Sequence, residues 1–177
     1  GLEFLAKSNF ENLITLKLHY NEFGSDGVKF LSESKFKNLI HIDLYYNQIF
    51  SQGVKFLAEK FNFLKHLDLH FNNIGDEGVK YLSSSEIDFK DLEFLNLSGN
   101  QITNVGVKYL SQKDFLKLGN LNLCHNFLND EGINFLNNGC FFNWKILKIL
   151  NVSGNKIHLD KLKGFISRFP QIEVKYK

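Results

Sequence analysis

The chain carries the same His-x-Asp pair twice, at His41 and Asp43 and again at His66 and Asp68. Imidazole nitrogens and carboxylate oxygens can bind Zn²⁺ or a similar ion, and two neighbouring carboxylates can act as acid and base. The alternative is simple His–Asp pairing on a wet surface. We predict no metal, no cofactor and no catalysis here, because no closed ligand set is evident and an open surface does not desolvate a carboxylate.

Both pairs lie inside a repeated phrase, Leu-x-x-Leu-x-Leu-x-x-Asn, in which Ile or Val replaces some leucines. The alternating apolar residues predict a short strand with one buried face. The asparagine side chain has two donors and an acceptor, and we expect it to satisfy turn backbone groups in a ladder that crosses the repeats. The phrase ends at Asn21, Asn47, Asn72, Asn100, Asn126 and Asn155.

A helix is predicted after each of the first five phrases. Its expected N-caps are Ser25, Ser51, Asp76, Asn104 and Asp130, all of preferred capping types. In each helix an apolar pair three residues apart, such as Val28 and Leu31, is predicted to face the core. A large ring precedes each phrase and is predicted to be buried. These rings belong to Phe10, Phe36, Phe61, Phe89, Phe115 and Trp144.

Three segments follow from this register. Residues 1–12 match the second half of a repeat, and we expect them to continue from upstream repeats in a longer protein. Residues 13–158 hold six repeats, and residues 159–177 are predicted to form a closing helix and a short strand. Parallel strands repeat about every 4.8 Å and packed helices about every 8–10 Å, so the stack must curve, with the sheet inside.

These phrases and helix starts resemble leucine-rich repeat proteins of the ribonuclease-inhibitor-like class, which includes cytosolic pattern receptors and Ran GTPase-activating proteins. The resemblance implies an α/β horseshoe solenoid, with a parallel inner sheet of about seven strands and helices outside. It also implies that the inner sheet grips a protein partner, although a fold alone does not dictate function.

In this register the strand residues that point away from the core fall into four rows. The first three rows take the alternate strand positions, and the fourth follows directly after the third. The rows are rich in rings and carboxylates over the first four repeats only. We predict a partner-binding surface, here called the concave patch, formed by Tyr20, His41, Asp43, Tyr45, Tyr46, His66, Asp68, His70, Phe71 and Phe94. The alternative is that these rings only stack across strands and stabilise the sheet.

Composition narrows the choice of partner. The formal net charge is +2, from 21 basic and 19 acidic residues, which gives no electrostatic case for nucleic acid or a membrane. Arg168 is the only arginine, which weakens any prediction of a phosphate clamp. The two cysteines, Cys124 and Cys140, are not clustered, so we expect a reducing, cytoplasmic setting, or a host cytosol for a secreted effector.

The predicted function is a monomeric, non-enzymatic module that binds a protein or peptide. Asp43 and Asp68 favour a basic partner, and the histidines predict weaker binding below about pH 6 as they become charged. Two alternatives stay open: a regulator resembling Ran GTPase-activating proteins, and a structural spacer in a larger receptor or effector.

Overall fold

The computed structural model describes residues 1–84, 86–139 and 145–177. In these ranges strands and helices alternate along the chain. The strands are β1 (Thr15–Lys17), β2 (His41–Asp43), β3 (His66–Asp68), β4 (Phe94–Asn96), β5 (Asn120–Asn122), β6 (Ile149–Asn151) and β7 (Glu173–Lys175). The helices are α1 (Leu2–Lys7), α2 (Gly24–Ser32), α3 (Phe50–Lys60), α4 (Gly75–Leu82), α5 (Asn104–Leu110), α6 (Asp130–Asn138) and α7 (Leu159–Arg168). Coils 1 to 7 are numbered by the strand that each contains.

The seven strands form one parallel sheet in chain order, β1 to β7. Each strand pairs with the next without a shift, so that Leu16 lies beside Ile42 and Ile42 beside Leu67. The seventh strand, predicted from the spacing of Ile172 and Val174, pairs its Val174 with Leu150. The architecture is therefore the predicted α/β leucine-rich repeat solenoid.

Large rings fill the core where the sequence predicts them. Phe36, Phe61, Phe89 and Phe115 are at most 1 % exposed. The prediction for Phe10 is wrong: its side chain is 50 % exposed. Trp144 and Cys140 lie outside the described residues.

The asparagine ladder is confirmed. The Oδ1 atom of Asn100 accepts hydrogen bonds from the backbone N–H groups of Asn72 and Ile74, at 2.8 and 3.4 Å. Its Nδ2 group donates to the carbonyl oxygens of Leu69 and Ser98, at 2.9 and 3.0 Å. Because the side chain is fully buried, these bonds satisfy backbone groups that water cannot reach.

The helices begin where expected, but the predicted N-caps are wrong. The capping positions are Phe23, Ile49, Ile74, Thr103 and Asn129. Thr103 and Asn129 accept hydrogen bonds from the backbone N–H groups of Val105 and Glu131. The residues expected to cap their own helix lie one or two positions later, within its first turn.

Several of those side chains form hydrogen bonds with the next coil instead. Asp76 accepts hydrogen bonds from the backbone N–H groups of Thr103 and Gly106, at 2.8 and 2.9 Å. Asp130 accepts one from the backbone N–H of His158, at 2.8 Å. These carboxylates therefore tie the start of α4 to that of α5 and the start of α6 to that of α7.

Apolar helices of membrane-spanning length do not occur in the described ranges.

Candidate functional site: the concave sheet face

The first row forms a stack of rings across three strands. His41 and His66 have ring centroids 3.9 Å apart, and the rings of His66 and Phe94 are parallel at 4.0 Å. All three side chains are half-buried. The register of β2, β3 and β4 places them side by side, since His41 pairs with His66 and His66 with Phe94.

The third row forms a second stack. Tyr45 lies between His19 and His70, with centroid distances of 4.7 and 4.2 Å and interplanar angles of 13°. Burial raises the pKa of Tyr45, with smaller contributions from nearby Tyr20 and the two aspartates. The Tyr45 hydroxyl is therefore neutral and can both donate and accept a hydrogen bond at physiological pH.

Asp43 and Asp68 occupy the second row, between the two stacks. Asp68 Oδ1 lies 2.6 Å from His70 Nδ1, and Asp68 Oδ2 accepts a hydrogen bond from Asn96 Nδ2 at 3.1 Å. Asp43 Oδ2 is 3.6 Å from His19 Nδ1. The Asp43 and Asp68 side chains are 18 % and 14 % exposed, so a small part of each stays accessible to a partner.

The fourth row carries the most exposed rings of the concave patch. Tyr20, Tyr46 and Phe71 are 62 %, 48 % and 46 % exposed. Tyr20 and Tyr46 have ring centroids 4.8 Å apart, and Tyr46 and Phe71 lie 6.0 Å apart with ring edge toward ring face. All three have left-handed backbone, with φ between 52° and 59°, which disfavours bulky residues.

In each His-x-Asp pair the histidine and the aspartate have different neighbours. The aspartates pair with His19 and His70 of the third row, while His41 and His66 contact each other. Across the described parts of the chain no three His, Cys, Asp or Glu side chains converge on a point that could hold a metal ion. The arrangement is a pair of carboxylates between aromatic walls.

The expected pH response is wrong for His66. Burial, together with the nearby His41, lowers the pKa of His66 to about 4, although Asp68 and Asp43 oppose the shift. His66 therefore remains neutral at pH 6. A loss of binding at that pH cannot come from this residue.

The structure brings all ten predicted residues together on the sheet face opposite the helices. Sequence reasoning did not include Asn96, which contacts both Asp68 and His70. It also missed a groove beside the fourth row, whose described lining consists of Tyr46, Gln48, Phe50, Phe71, Asn73, Gly99 and Gln101. The groove amides belong to Gln48, Asn73 and Gln101, which directly follow three of the ladder asparagines. Alignment of the repeats at those asparagines shows this row in the sequence.

Comparisons with known proteins agree with this architecture. A family model described as "Leucine Rich repeat" matches residues 62–83 and 90–111. No curated protein sequence matches the chain. A solved internalin from Listeria monocytogenes is similar over 99 % of this chain, with 22 % identity and a TM-score of 0.59. This chain spans 50 % of that structure's length.

Two further structures are similar at lower scores. One is a leucine-rich repeat protein from Leptospira interrogans, with 22 % identity and a TM-score of 0.48 over 94 % of this chain and 49 % of its own. The other is the plant peptide hormone receptor RGFR1 in complex with RGF2, with 20 % identity and a TM-score of 0.42 over 93 % of this chain and 31 % of its own. The repeated phrase, the matched family model and the unshifted parallel sheet together support a leucine-rich repeat fold.

Proposed function

We propose that this chain is a non-enzymatic protein-interaction module that binds a protein or peptide on the concave patch. The observation that carries the proposal is the pair of ring stacks on either side of Asp43 and Asp68. Partly exposed aromatic residues in a cluster are typical of interface hot spots. A repeat fold has no need for them on its solvated face, because its core already lies between sheet and helices.

The stacks also stabilise the sheet, by about 0.2–1 kcal/mol for each cross-strand pair. That role alone does not explain why they are confined to coils 1 to 4. In coils 5 and 6 the same three rows hold Asn120, Asn122, Cys124, Ile149, Asn151 and Ser153. Those strands pair in the same register without aromatic rings. Sheet formation therefore does not depend on the stacks.

The expected partner carries lysine or arginine. Asp43 and Asp68 are adjacent in the second row, and the first-coil position of that row is Lys17. The acidic character is therefore centred on coils 2 and 3. A cation between two aromatic walls would gain from both carboxylates and from the ring faces, and Arg is suited to both contacts.

The internalin and receptor structures support the proposal only as analogies of fold, and RGFR1 is described in complex with RGF2. We further propose the ribonuclease-inhibitor-like class, since a helix of 7 to 11 residues connects successive strands from coil 1 to coil 6. A cytoplasmic setting and a monomeric state belong to the same proposal.

The test is affinity capture with immobilised protein, followed by calorimetry with each purified candidate. The patch variant is Asp43→Asn with Asp68→Asn, which keeps side-chain size and removes charge. A matched control is Glu77→Gln with Asp160→Asn, which removes two carboxylates from helices α4 and α7. We expect a specific partner to bind the control normally and the patch variant at least tenfold more weakly. Equal affinity for both variants would reject the patch.

The alternative of a GTPase regulator has a separate test. A panel of small GTPases is mixed with substoichiometric protein, and GTP hydrolysis is measured. We expect no stimulation. Multiple-turnover stimulation by any of them would overturn the non-enzymatic assignment.

A further inference from the structure

A shallow groove of about 530 Å³ lies beside the fourth row, across coils 2, 3 and 4. We call it the rim groove. Its described lining comprises Tyr46, Gln48, Phe50, Phe71, Asn73, Gly99 and Gln101. None of these residues is charged, so the groove differs in chemistry from the acidic second row nearby.

Every described lining residue has left-handed backbone, with φ from 52° to 63°. Six of the seven are not glycine, and such a conformation costs free energy for residues with a Cβ. Strain of this kind concentrates at functional sites. In coils 5 and 6 the residue after the ladder asparagine, Phe127 or Lys156, is not left-handed. The left-handed conformation after the ladder asparagine is therefore not a requirement of every coil, whereas the fourth-row residue is left-handed in coils 1 to 6.

Phe50 is a clear case of left-handed backbone at a residue with a side chain. It is the first residue of helix α3, where helices α2 and α4 begin with Gly24 and Gly75. The φ angle is positive at all three positions, with 54° at Phe50, 62° at Gly24 and 56° at Gly75. A glycine would adopt this conformation without strain, yet coil 2 places there an aromatic ring that is 47 % exposed and lines the groove.

The lining combines ring faces with amide groups. The rings of Tyr46, Phe50 and Phe71 are all about half exposed. The amides of Gln48, Asn73 and Gln101 are exposed, and each provides donors and an acceptor. A complementary ligand is uncharged, presents C–H groups to the rings and offers hydroxyl groups to the amides. A sugar ring has that combination.

The spacing of the coils accommodates a chain of sugar units. The groove runs across the coils, whose strands repeat about every 4.8 Å, and the rings of Tyr46 and Phe71 in coils 2 and 3 lie 6.0 Å apart. A 1,4-linked sugar unit spans roughly 5 Å, as expected from single bonds of about 1.5 Å around its ring. About one sugar unit therefore fits each coil.

The backbone beside the groove offers a peptide no strand edge. The N–H groups of Tyr46, Phe71 and Gly99 already donate to the carbonyl oxygens of His70, Ser98 and Cys124. Addition of a peptide strand requires unpaired backbone groups. At these three positions the groove therefore offers a ligand its side chains and no free backbone N–H group.

We propose that the rim groove binds a neutral, extended oligosaccharide, with about three sugar units in contact with coils 2, 3 and 4. The rings pack against the sugar faces, and Gln48, Asn73 and Gln101 hydrogen-bond the hydroxyl groups. This inference does not rest on the protein partner proposed for the concave patch. The two surfaces share Tyr46 and Phe71, but Phe50 and the three amides lie outside the patch, and Asp43 and Asp68 lie outside the groove lining.

The test is calorimetry with cellohexaose, chitohexaose and mannohexaose, which have extended β-1,4 backbones. Maltohexaose is the matched control, since it contains the same sugar as cellohexaose in a coiled α-1,4 chain. We expect at least one extended hexasaccharide to bind at least tenfold more tightly than maltohexaose. Absence of binding by all three at millimolar concentration, or equal binding of maltohexaose, would overturn the proposal.

Two variants locate the site. Phe50→Gly removes a ring while retaining a residue suited to the backbone, and Gln48→Ala with Gln101→Ala removes two amides. Each should weaken oligosaccharide binding at least tenfold, with circular dichroism showing an unchanged fold. The Glu77→Gln, Asp160→Asn control should bind normally. Unchanged affinity in both groove variants would place the sugar elsewhere and reject the groove, without affecting the protein-binding test at Asp43 and Asp68.

Discussion

The ring of Phe71 lies so close over Gly99, its counterpart in the next coil, that a Cβ atom at position 99 would overlap it. Coil 4 therefore has no ring in the fourth row, because the ring of Phe71 occupies the space that a side chain at position 99 would need. The same relationship recurs between His125 and Gly154. At these two places in the row the glycine leaves room for the ring of the preceding coil.

Gly99→Ala should destabilise the protein by about 2–4 kcal/mol, because left-handed strain of about 1–2 kcal/mol adds to displacement of the Phe71 ring. Gly75→Ala is the control, since its φ of 56° is similar but nothing lies within 4 Å of the added Cβ. Urea unfolding should show the larger loss for Gly99→Ala. Equal losses would mean that the ring contact contributes nothing.

At position 71 we expect glycine to be more stable than alanine, which reverses the usual order. Both substitutions remove the ring, but only alanine retains the strain of a Cβ at φ 52°. The difference should be about 1 kcal/mol in favour of Phe71→Gly, measured by urea unfolding. A more stable Phe71→Ala would show that the left-handed conformation is not maintained.

Asn100→Ala should cost about 3–5 kcal/mol, because four hydrogen bonds are lost and buried backbone groups are left unpaired. Asn21→Ala is the control, because Asn21 in coil 1 donates only to Leu18 and His19 of its own coil and is exposed. Its loss should be near 1 kcal/mol. Comparable thermal unfolding of the two variants would contradict the ladder's role.

Stability should fall on acidification through His66. Its folded pKa of about 4 lies below the ordinary value of 6.5. Between these values the unfolded chain binds more protons at this position. The contribution of neutral His66 is therefore complete above about pH 6.5 and is lost as the pH falls toward 4.

The groups facing His66 are His41, Phe94, Asp43, Asp68 and Lys17. His66→Phe keeps a ring between His41 and Phe94 and removes the titration. Because the ring is partly solvated, we expect wild type to lose only about 1–2 kcal/mol more than the variant between pH 7 and pH 4.5. Thermal unfolding at both pH values measures this difference, and parallel pH profiles would contradict it.

The fold could be predicted because its determinants are local and repeated. Leucine alternation defines each strand, and the recurrence of Asn47, Asn72 and Asn100 fixes the register without reference to tertiary contacts. The four rows of the concave face could be predicted from this register, since parallel strands that pair without a shift place equivalent residues side by side.

The helix caps, the rim groove and the low pKa of His66 could not be predicted, because they depend on contacts between coils. Asp76 has the residue type of an N-cap, but its carboxylate caps the turn of the next coil. The rim groove depends on left-handed backbone at Gln48 and Gln101, and neither residue type indicates that conformation. His66 has an unusually low pKa only because His41 and Phe94 cover it.

Hydroxyl-radical footprinting of the captured complex tests the central claim most directly, because it measures side-chain exposure residue by residue. Bound partner should protect Tyr20, Tyr45 and Phe71 from oxidation and leave Tyr81 of helix α4 and Tyr176 unchanged. Protection of Tyr81 with continued oxidation of Tyr45 would place the interface on the helices and contradict the account.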